Sequence, residues 1–372
     1  MIVVKEVVGK KALRQFVKFP FRLYKNSAYW VPPIINEELR TLDKGKNPVF
    51  KNADARLFLA YKEGKIAGRI AAIVNHIEVD KQKKKKVRFG WFDVIDDPSV
   101  TEALFHKVFE YGKEHALDYA EGPCGFSNMD KAGMLIEGFD RINNMTTHYN
   151  YAYYPKHLEQ LGFAKSMDWV EYFIHTPKKI PEKVKNFAAL ALKRYDLRLL
   201  KFDTTKALMP YADKMFALMN RSFKKLPTFT PIQPYQVAQY KKKYLKFIHP
   251  DFIAFIADKN DDLVGFSITM PSFAKALQKA RGRLFPFGFR HLLKAQKKND
   301  SGNLYLIGID PEYQGKGITA IIFQSVMLNF NKRKIKYVET NPELEDNTAV
   351  RALWDDYEPT LIKRWRTYKK VL

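Results

Sequence analysis

Leu304-Tyr305-Leu306-Ile307-Gly308-Ile309-Asp310-Pro311-Glu312-Tyr313-Gln314-Gly315-Lys316-Gly317-Ile318-Thr319 is the stretch that decides the fold. Its apolar opening reads as a buried strand, and the apolar run from Ile318 to Phe330 reads as a helix. Between them, Gly315 and Gly317 let the chain turn tightly and let a ligand approach the backbone. The free amides at the start of the following helix point at an anion, and the helix dipole adds to the attraction. Lys316 places a positive charge beside them. Strand, glycine turn and helix N-terminus together make a phosphate or pyrophosphate cradle. Neither the GKS/T spacing of a P-loop nor the third glycine or alanine of a dinucleotide fingerprint is present.

Outward from this stretch, the elements recur in one order. Upstream, Phe252 to Ala257 and Leu263 to Thr269 form a β-hairpin about the turn Asp258 to Asp262. A short strand, Leu197 to Phe202, and helical stretches between Lys206 and Phe247 come before it. Downstream are a strand, Lys336 to Thr340, a helix from about Asn347 to Asp356, and a last strand, Lys363 to Leu372. The first half repeats this plan: a strand at Met1 to Glu6, a helical stretch holding Leu13, Phe16, Val17 and Phe21, and a hairpin from Arg56 to Val74. A strand, Val87 to Val94, a helix, Val100 to Ala116, and a strand, Tyr119 to Gly122, continue it. A helix, Tyr154 to Leu161, and a strand, Trp169 to His175, end it. Pro177-Lys178-Lys179-Ile180-Pro181 is the linker, since its prolines interrupt either kind of element. The duplication shows in element order and not in residue identity. The expected domains are residues 1–176, a linker and connecting helix over 177–195, and residues 196–372.

Composition bounds the class. The chain has 372 residues, 46% apolar and 14% aromatic, enough for a core in each half and too much for a disordered chain. No apolar run reaches the roughly 18 to 20 residues of a membrane-spanning helix. The N-terminus lacks the basic and apolar regions of a signal peptide. A single cysteine, Cys124, excludes an internal disulfide and a cysteine metal cluster. The eight histidines show no ligand spacing, so no metal is expected. A reducing cytoplasm is the expected address.

Charge is the other strong signal. The chain is basic, with a net charge of +24, and 35 basic residues face 18 acidic ones from residue 181 onward. An anionic partner suits that excess. It is densest between residues 271 and 299, where eight lysines and arginines stand among Phe273, Phe285, Phe287, Phe289 and several leucines with no acidic residue. Gly282 and Phe285-Pro286-Phe287-Gly288 divide this segment into two short helices. Its composition suits an anionic membrane surface, with peripheral attachment, or RNA. The plainer reading is a helical hairpin with a solvated basic face. Lys83 to Lys86 reads as an exposed loop.

The strand, the turn Pro311-Glu312-Tyr313-Gln314-Gly315-Lys316-Gly317 and the helix after it resemble the acyl-CoA motif Gln-x-x-Gly-x-small of the GCN5-related N-acetyltransferases (GNAT). The resemblance covers residues 196 to 372. The first half is similar to the same fold with the motif lost: Phe92-Asp93-Val94-Ile95-Asp96-Asp97-Pro98 stands where the glycines should be, and its acidic groups would repel a pyrophosphate. His157-Leu158-Glu159-Gln160-Leu161-Gly162-Phe163 still looks like the family's terminal helix and Gly-Phe turn. The fold class implied is α/β with mixed sheets, as two tandem GNAT-like domains with a degenerate N-terminal copy and an insertion at 271–299. The chain resembles bacterial tandem-GNAT N-acyltransferases that open with a Trp-Val-Pro-Pro segment, here Trp30-Val31-Pro32-Pro33.

That resemblance implies acetyl-CoA or another acyl-CoA as co-substrate, an amine acceptor of small-molecule or other kind, and direct attack of the amine on the thioester in the second half. Backbone amides of Gln314, Gly315, Lys316, Gly317, Ile318 and Thr319 would hold the pyrophosphate. Ile307 and Ile309 would pair with the pantetheine, and Asn347 opens a helix similar to the family's Asn-x-x-Ala-x-x-Leu-Tyr. Thr319 stands where a smaller residue is usual. Trp354 occupies the tyrosine position, and an indole cannot protonate a thiolate, so Tyr357 is the substitute candidate acid. Glu339 is the candidate carboxylate for the amine proton, with Tyr305 on the neighbouring strand facing the same cleft. A plainer role for Glu339 is a surface pair with Lys336 or Arg333. Two other functions fit the fold: an aminoacyl-tRNA-dependent transferase, against which the intact glycine turn argues, and an inactive CoA-binding or membrane-associated protein.

Overall fold

The computed structural model describes residues 1–226, 229–243, 248–348, 354 and 357–372. Its strands are β1 Ile2–Glu6, β2 Ala53–Lys62, β3 Lys65–Asn75, β4 Lys86–Val94, β5 Tyr119–Gly122, β6 Met134–Glu137 and β7 Ala164–His175 in the first half. In the second they are β8 Arg198–Leu200, β9 Ile253–Ala257, β10 Leu263–Pro271, β11 Ser301–Ile309, β12 Tyr337–Thr340, β13 Glu343–Leu344 and β14 Thr360–Val371. The helices are α1 Gly9–Leu23, α2 Ile35–Thr41, α3 Pro98–Glu114, α4 Tyr153–Gln160, α5 Glu182–Arg194, α6 Thr205–Leu208, α7 Ala212–Ser222, α8 Pro234–Lys243, α9 Ala274–Ala280, α10 Gly288–Lys297 and α11 Ile318–Lys332. The helix expected from Asn347 to Asp356 falls mostly outside the described residues. No helix among the described residues is long and apolar enough to cross a membrane.

Local chemistry explains the elements that matter for the site. Glu63 and Gly64 both have positive φ, the geometry of a two-residue turn that matches strand twist and joins β2 to β3. Asp97 accepts the Ser99 amide at 3.0 Å, with Pro98 in the first turn, so α3 starts with its own carboxylate cap. The α3 residues Val100, Leu104, Phe105 and Val108 are buried together with Phe89 and Val94 of β4, as helical spacing requires.

All the main strands join one continuous sheet in the order β1-β2-β3-β4-β5-β14-β7-β12-β11-β10-β9-β8, with β6 alongside β14 and β13 alongside β7. The two halves exchange strands at its centre. β7, from the first half of the sequence, pairs antiparallel with β12 of the second. β14, from the end of the chain, pairs antiparallel with β5 of the first. β14 and β7 pair with each other from Thr360↔Phe173 to Lys369↔Ala164. Neither half therefore completes its sheet from its own sequence.

Helices cover both faces. On one, α3 and α4 cover the first half, and α5 and α11 cover the second around Ile318, Ile322, Val326 and Phe330. On the other lie α1 and α2, α6 and α7, and the α9–α10 insertion, whose base packs on Val31 of the Trp-Val-Pro-Pro segment. Each half contains one parallel pair. β4 and β5 pair only from Lys86↔Tyr119 to Arg88↔Glu121, and β11 and β12 only from Ser301↔Tyr337 to Leu304↔Thr340. Beyond those points β4 and β11 run on without a parallel neighbour, so the sheet splays twice.

One expectation needs correcting here. Lys86 is not part of an exposed loop: it is buried, opens β4, and pairs with Glu78 at 3.0 Å and Glu121 at 2.6 Å. A lysine run reads as solvated when the carboxylates that meet it lie elsewhere in the sequence.

Candidate active site

The glycine turn sits at the end of the splayed part of β11. Asp310 accepts the Glu312 amide at 3.1 Å and pairs with Arg221 of α7 at 2.9 Å, which fixes the turn to the opposite helical layer. Gly315 and Gly317 have φ of +75° and +81°, values that side chains rarely adopt. A Cβ on Gly315 would meet nothing, whereas one on Gly317 would lie 3.0 Å from Ala191 of α5. The Ala320 and Ile321 amides donate to Gly317 O. Among the described residues, the amides of Gly315, Gly317, Ile318 and Thr319 meet no protein acceptor. This is a ring of unpaired donors at a helix N-terminus, the arrangement that holds a pyrophosphate. Lys316 stands beside it with its ammonium over the rings of Tyr195 and Tyr313, at 5.3 and 5.0 Å from their centroids. Gln314 is exposed at the lip, and Ile307 and Ile309 are half-buried toward α11. The residues present therefore fit the diphosphate of a coenzyme A.

At the corresponding end of β4, the same groups are already used. Asp97 caps α3 and pairs with Lys62 at 2.6 Å. The Val94 amide donates to Tyr154 Oη at 2.9 Å, and Val94 O accepts from Tyr153 Oη at 2.6 Å. Asp93 takes Tyr24 Oη at 2.8 Å and Arg69 at 2.7 Å. Side chains of α1 and α4 fill the strand edge that is free in β11.

Strand alternation places Glu339 on the face away from α11, because its neighbour Val338 packs in the α11 core. Tyr305 packs toward α7 on that same face, so the fold brings Glu339 and Tyr305 to one side of the splay. Tyr357 goes to the other: it is buried against Phe323 of α11, ring centroids 6.0 Å apart. Trp354 is buried too, and its indole donates to the Glu343 carboxylate at 2.9 and 3.0 Å, pinning the chain to β13. Asn347 donates its amide to Leu344 O at 2.9 Å in the turn after β13.

Glu339 is not the partner of Lys336 or Arg333. Arg333 pairs with Asp251 at 2.8 Å. Glu339 lies 3.9 Å from Lys363 of β14, and Lys363 lies 3.3 Å from Glu171 of β7. Lys363 and Glu171 are fully buried, while Glu339 is 28% exposed. Asn144 also donates to Glu171, at 3.4 Å. Burial pushes the Glu171 carboxyl up to about 8; the charge of Lys363 opposes that and the charge of Glu339 adds to it. Three strands that are far apart in sequence thus assemble two carboxyl groups and an ammonium beside the splay.

The same face holds a cavity of about 140 Å³ between the two halves, lined among others by Lys86, Glu121, Thr147, Trp169, Asn341 and Thr367. Trp169 lies two residues from Glu171 and Asn341 two from Glu339, so the cavity adjoins the carboxyl pair. Thr367 is buried and its hydroxyl meets no partner among the described residues. Glu78 pairs with Lys86 and Arg88 of the cavity wall; burial would raise its carboxyl, but Arg88 and Lys86 outweigh that and hold it down at about 2. Burial pushes the Cys124 thiol up to about 11 against the same two cations, which leaves it unreactive. The described residues contain no cluster of three or more His, Cys, Asp or Glu that could hold a metal.

Sequence reasoning missed Glu171, Lys363 and the cavity. Glu171 within the apolar-aromatic run Trp169 to Ile174 was the available signal, since such a charge is rarely buried unpaired; Lys363 is one of five basic residues in β14 and does not stand out in sequence.

No family model matches the sequence. The chain is 28% identical to Protein YghO of Escherichia coli K12, over 99% of this chain and 95% of that protein. It is 24% identical to a bacterial ceramide synthase of Caulobacter vibrioides, over 97% and 95%. In structure it is similar to a tandem GNAT protein from the clavulanic acid biosynthesis pathway, with a TM-score of 0.55 and 10% identity, covering 100% of this chain and 98% of that one. A likeness over both full lengths, with a splayed parallel pair in each half and a glycine turn ending the second, shows that the chain has the tandem GNAT fold.

Proposed function

We propose that the protein is an acyl-CoA-dependent N-acyltransferase that uses the cradle of its second half. The observation that carries this reading is the set of unpaired amides of Gly315, Gly317, Ile318 and Thr319 at the mouth of the splay, the Lys316 amide being taken by Tyr313 O at 3.2 Å, with Glu339 on the open face beside it. The first copy is degenerate in this reading, its cradle capped by Asp97 and its strand edge taken by Tyr153 and Tyr154. The acceptor amine occupies the cavity between the halves. Its lone pair attacks the thioester carbonyl, the C–N bond forms, the C–S bond breaks and coenzyme A leaves as a thiolate, which takes its proton from solvent. The amine proton passes to Glu339, and Lys363 and Glu171 hold that carboxylate in place. A ceramide is an amide of a long-chain amine, so the name of the Caulobacter relative supports amine acylation and brings long acyl chains into consideration alongside acetyl.

Calorimetric titration with acetyl-CoA and with a long-chain acyl-CoA tests the reading. Gly317→Glu puts a carboxylate into the cradle but also presses on Ala191, so Lys316→Glu, at a half-exposed site, serves as a second variant that reverses the charge beside the cradle. Micromolar binding weakened at least about tenfold in both is expected. Absence of binding by either acyl-CoA would sink the proposal and direct attention to aminoacyl-tRNA as donor.

A further inference from the structure

We infer that the α9–α10 insertion is an interfacial anchor that seats the protein on an anionic lipid surface. Its base is built into the fold. Ala274 and Leu277 are buried against Val31, the Gln278 amide donates to Ala28 O and Trp30 O at 2.9 and 3.1 Å, and the Ile35 amide donates to Gly282 O at 2.9 Å. The far end is not covered. Phe285 is 75% exposed, Phe287 63% and Leu293 49%, and no residue of α10 is fully buried. A folded protein rarely leaves two phenylalanines and a leucine in water on one short hairpin unless something covers them.

Charge decides what covers them. Arg281, Arg283, Arg290, Lys294, Lys297 and Lys298 are all exposed on the same hairpin, and the whole segment from 271 to 299 holds no acidic residue. Aromatic tips ringed by lysine and arginine match the boundary between acyl chains and anionic headgroups, where the rings enter the apolar layer and the cations stay at the phosphates. RNA would use the cations equally well. It would give the exposed leucine nothing to bury against, and Arg290 already lies over Phe287, 5.2 Å from the centroid. The geometry therefore favours lipid. Phe273 and Leu292 of the insertion share one apolar cluster, around Val31, Ala274 and Leu277, with Ile142 and Met145, in the loop that carries Asn144 and the cavity residues Thr146 and Thr147. The proposed anchor thus holds the rim of the inter-half cavity near the lipid surface. This inference does not depend on acyl transfer, and vesicle binding reads it separately.

The test is flotation of the full-length protein with vesicles of phosphatidylcholine alone and of equal parts phosphatidylcholine and phosphatidylglycerol. Binding to the mixed vesicles and not to the neutral ones is expected. The double variant Phe285→Ser/Phe287→Ser should weaken that binding at least about tenfold, since each buried ring contributes apolar area. Arg283→Glu/Arg290→Glu/Lys294→Glu should abolish it at physiological salt, at about fivefold or more per charge. All five positions are solvent-exposed, and an unchanged unfolding midpoint shows that each variant is folded. Three results would overturn the inference: no binding to the mixed vesicles, binding that the serine variant retains in full, or tighter binding to an RNA duplex that is indifferent to the phenylalanines.

Discussion

Replacing Glu171 with Gln should make the protein markedly more stable in alkali and change it little in acid. Glu171 is fully buried between Lys363 and Asn144, and burial raises its carboxyl to about 8 from an ordinary 4.5. Between those values the folded chain keeps a proton that the unfolded chain has released. Wild-type stability therefore falls as pH rises through this window and levels off above it. For a single carboxyl the loss between pH 5 and pH 9 is about 4 kcal/mol. Glutamine has no proton to lose, and its amide preserves the shape and an acceptor for Lys363 and Asn144. The unfolding free energy of Glu171→Gln minus that of wild type should therefore grow by several kcal/mol across this range. Equilibrium urea unfolding of both proteins at pH 5, 7 and 9, followed by tryptophan fluorescence, measures it. A difference that stays constant with pH would refute the reasoning, because it would mean that Glu171 is ionised in the folded protein throughout.

Two further outcomes follow from the site. Glu339→Gln should lower kcat with an amine acceptor by about 10²-fold or more and leave the KM for acyl-CoA in place; a rate close to wild type would move proton transfer to water or to another group. Trp354→Phe should destabilise the fold by about 2 kcal/mol through loss of the charge-assisted indole bond to Glu343, measured by chemical denaturation, and an unchanged midpoint would contradict that role.

The Trp354 result bears on how far a family pattern can be carried onto one chain. Read along the sequence, an indole at the tyrosine position is a missing acid. In three dimensions it is a structural pin, held by a carboxylate on β13. Which face of the sheet Tyr357 and Glu339 occupy depends on strand pairing, which no local pattern specifies.

Local rules were sufficient for much of this protein. Both hairpins, strands β4, β5, β7, β11, β12 and β14, helices α3, α4 and α11, the glycine turn and the insertion's two helices were legible, because periodicity, turn chemistry and helix starts depend on residues a few positions apart; α2, β6 and β13 were not. The charge pattern of 271–299 was equally plain. Tertiary structure decided the rest. Nothing local tells β7 to pair with β12 or β14 with β5, since backbone hydrogen bonds are indifferent to which strand supplies the partner. That exchange brings Glu171, Glu339 and Lys363 together and encloses the cavity between the halves. It also explains Lys86, whose carboxylate partners Glu78 and Glu121 reach it only through the fold. The sequence by itself determined the glycine turn and the helix start that leave backbone amides free; long-range pairing decided which ionisable groups meet at the centre of the sheet, because a charge is tolerated in the interior only where distant segments meet to compensate it.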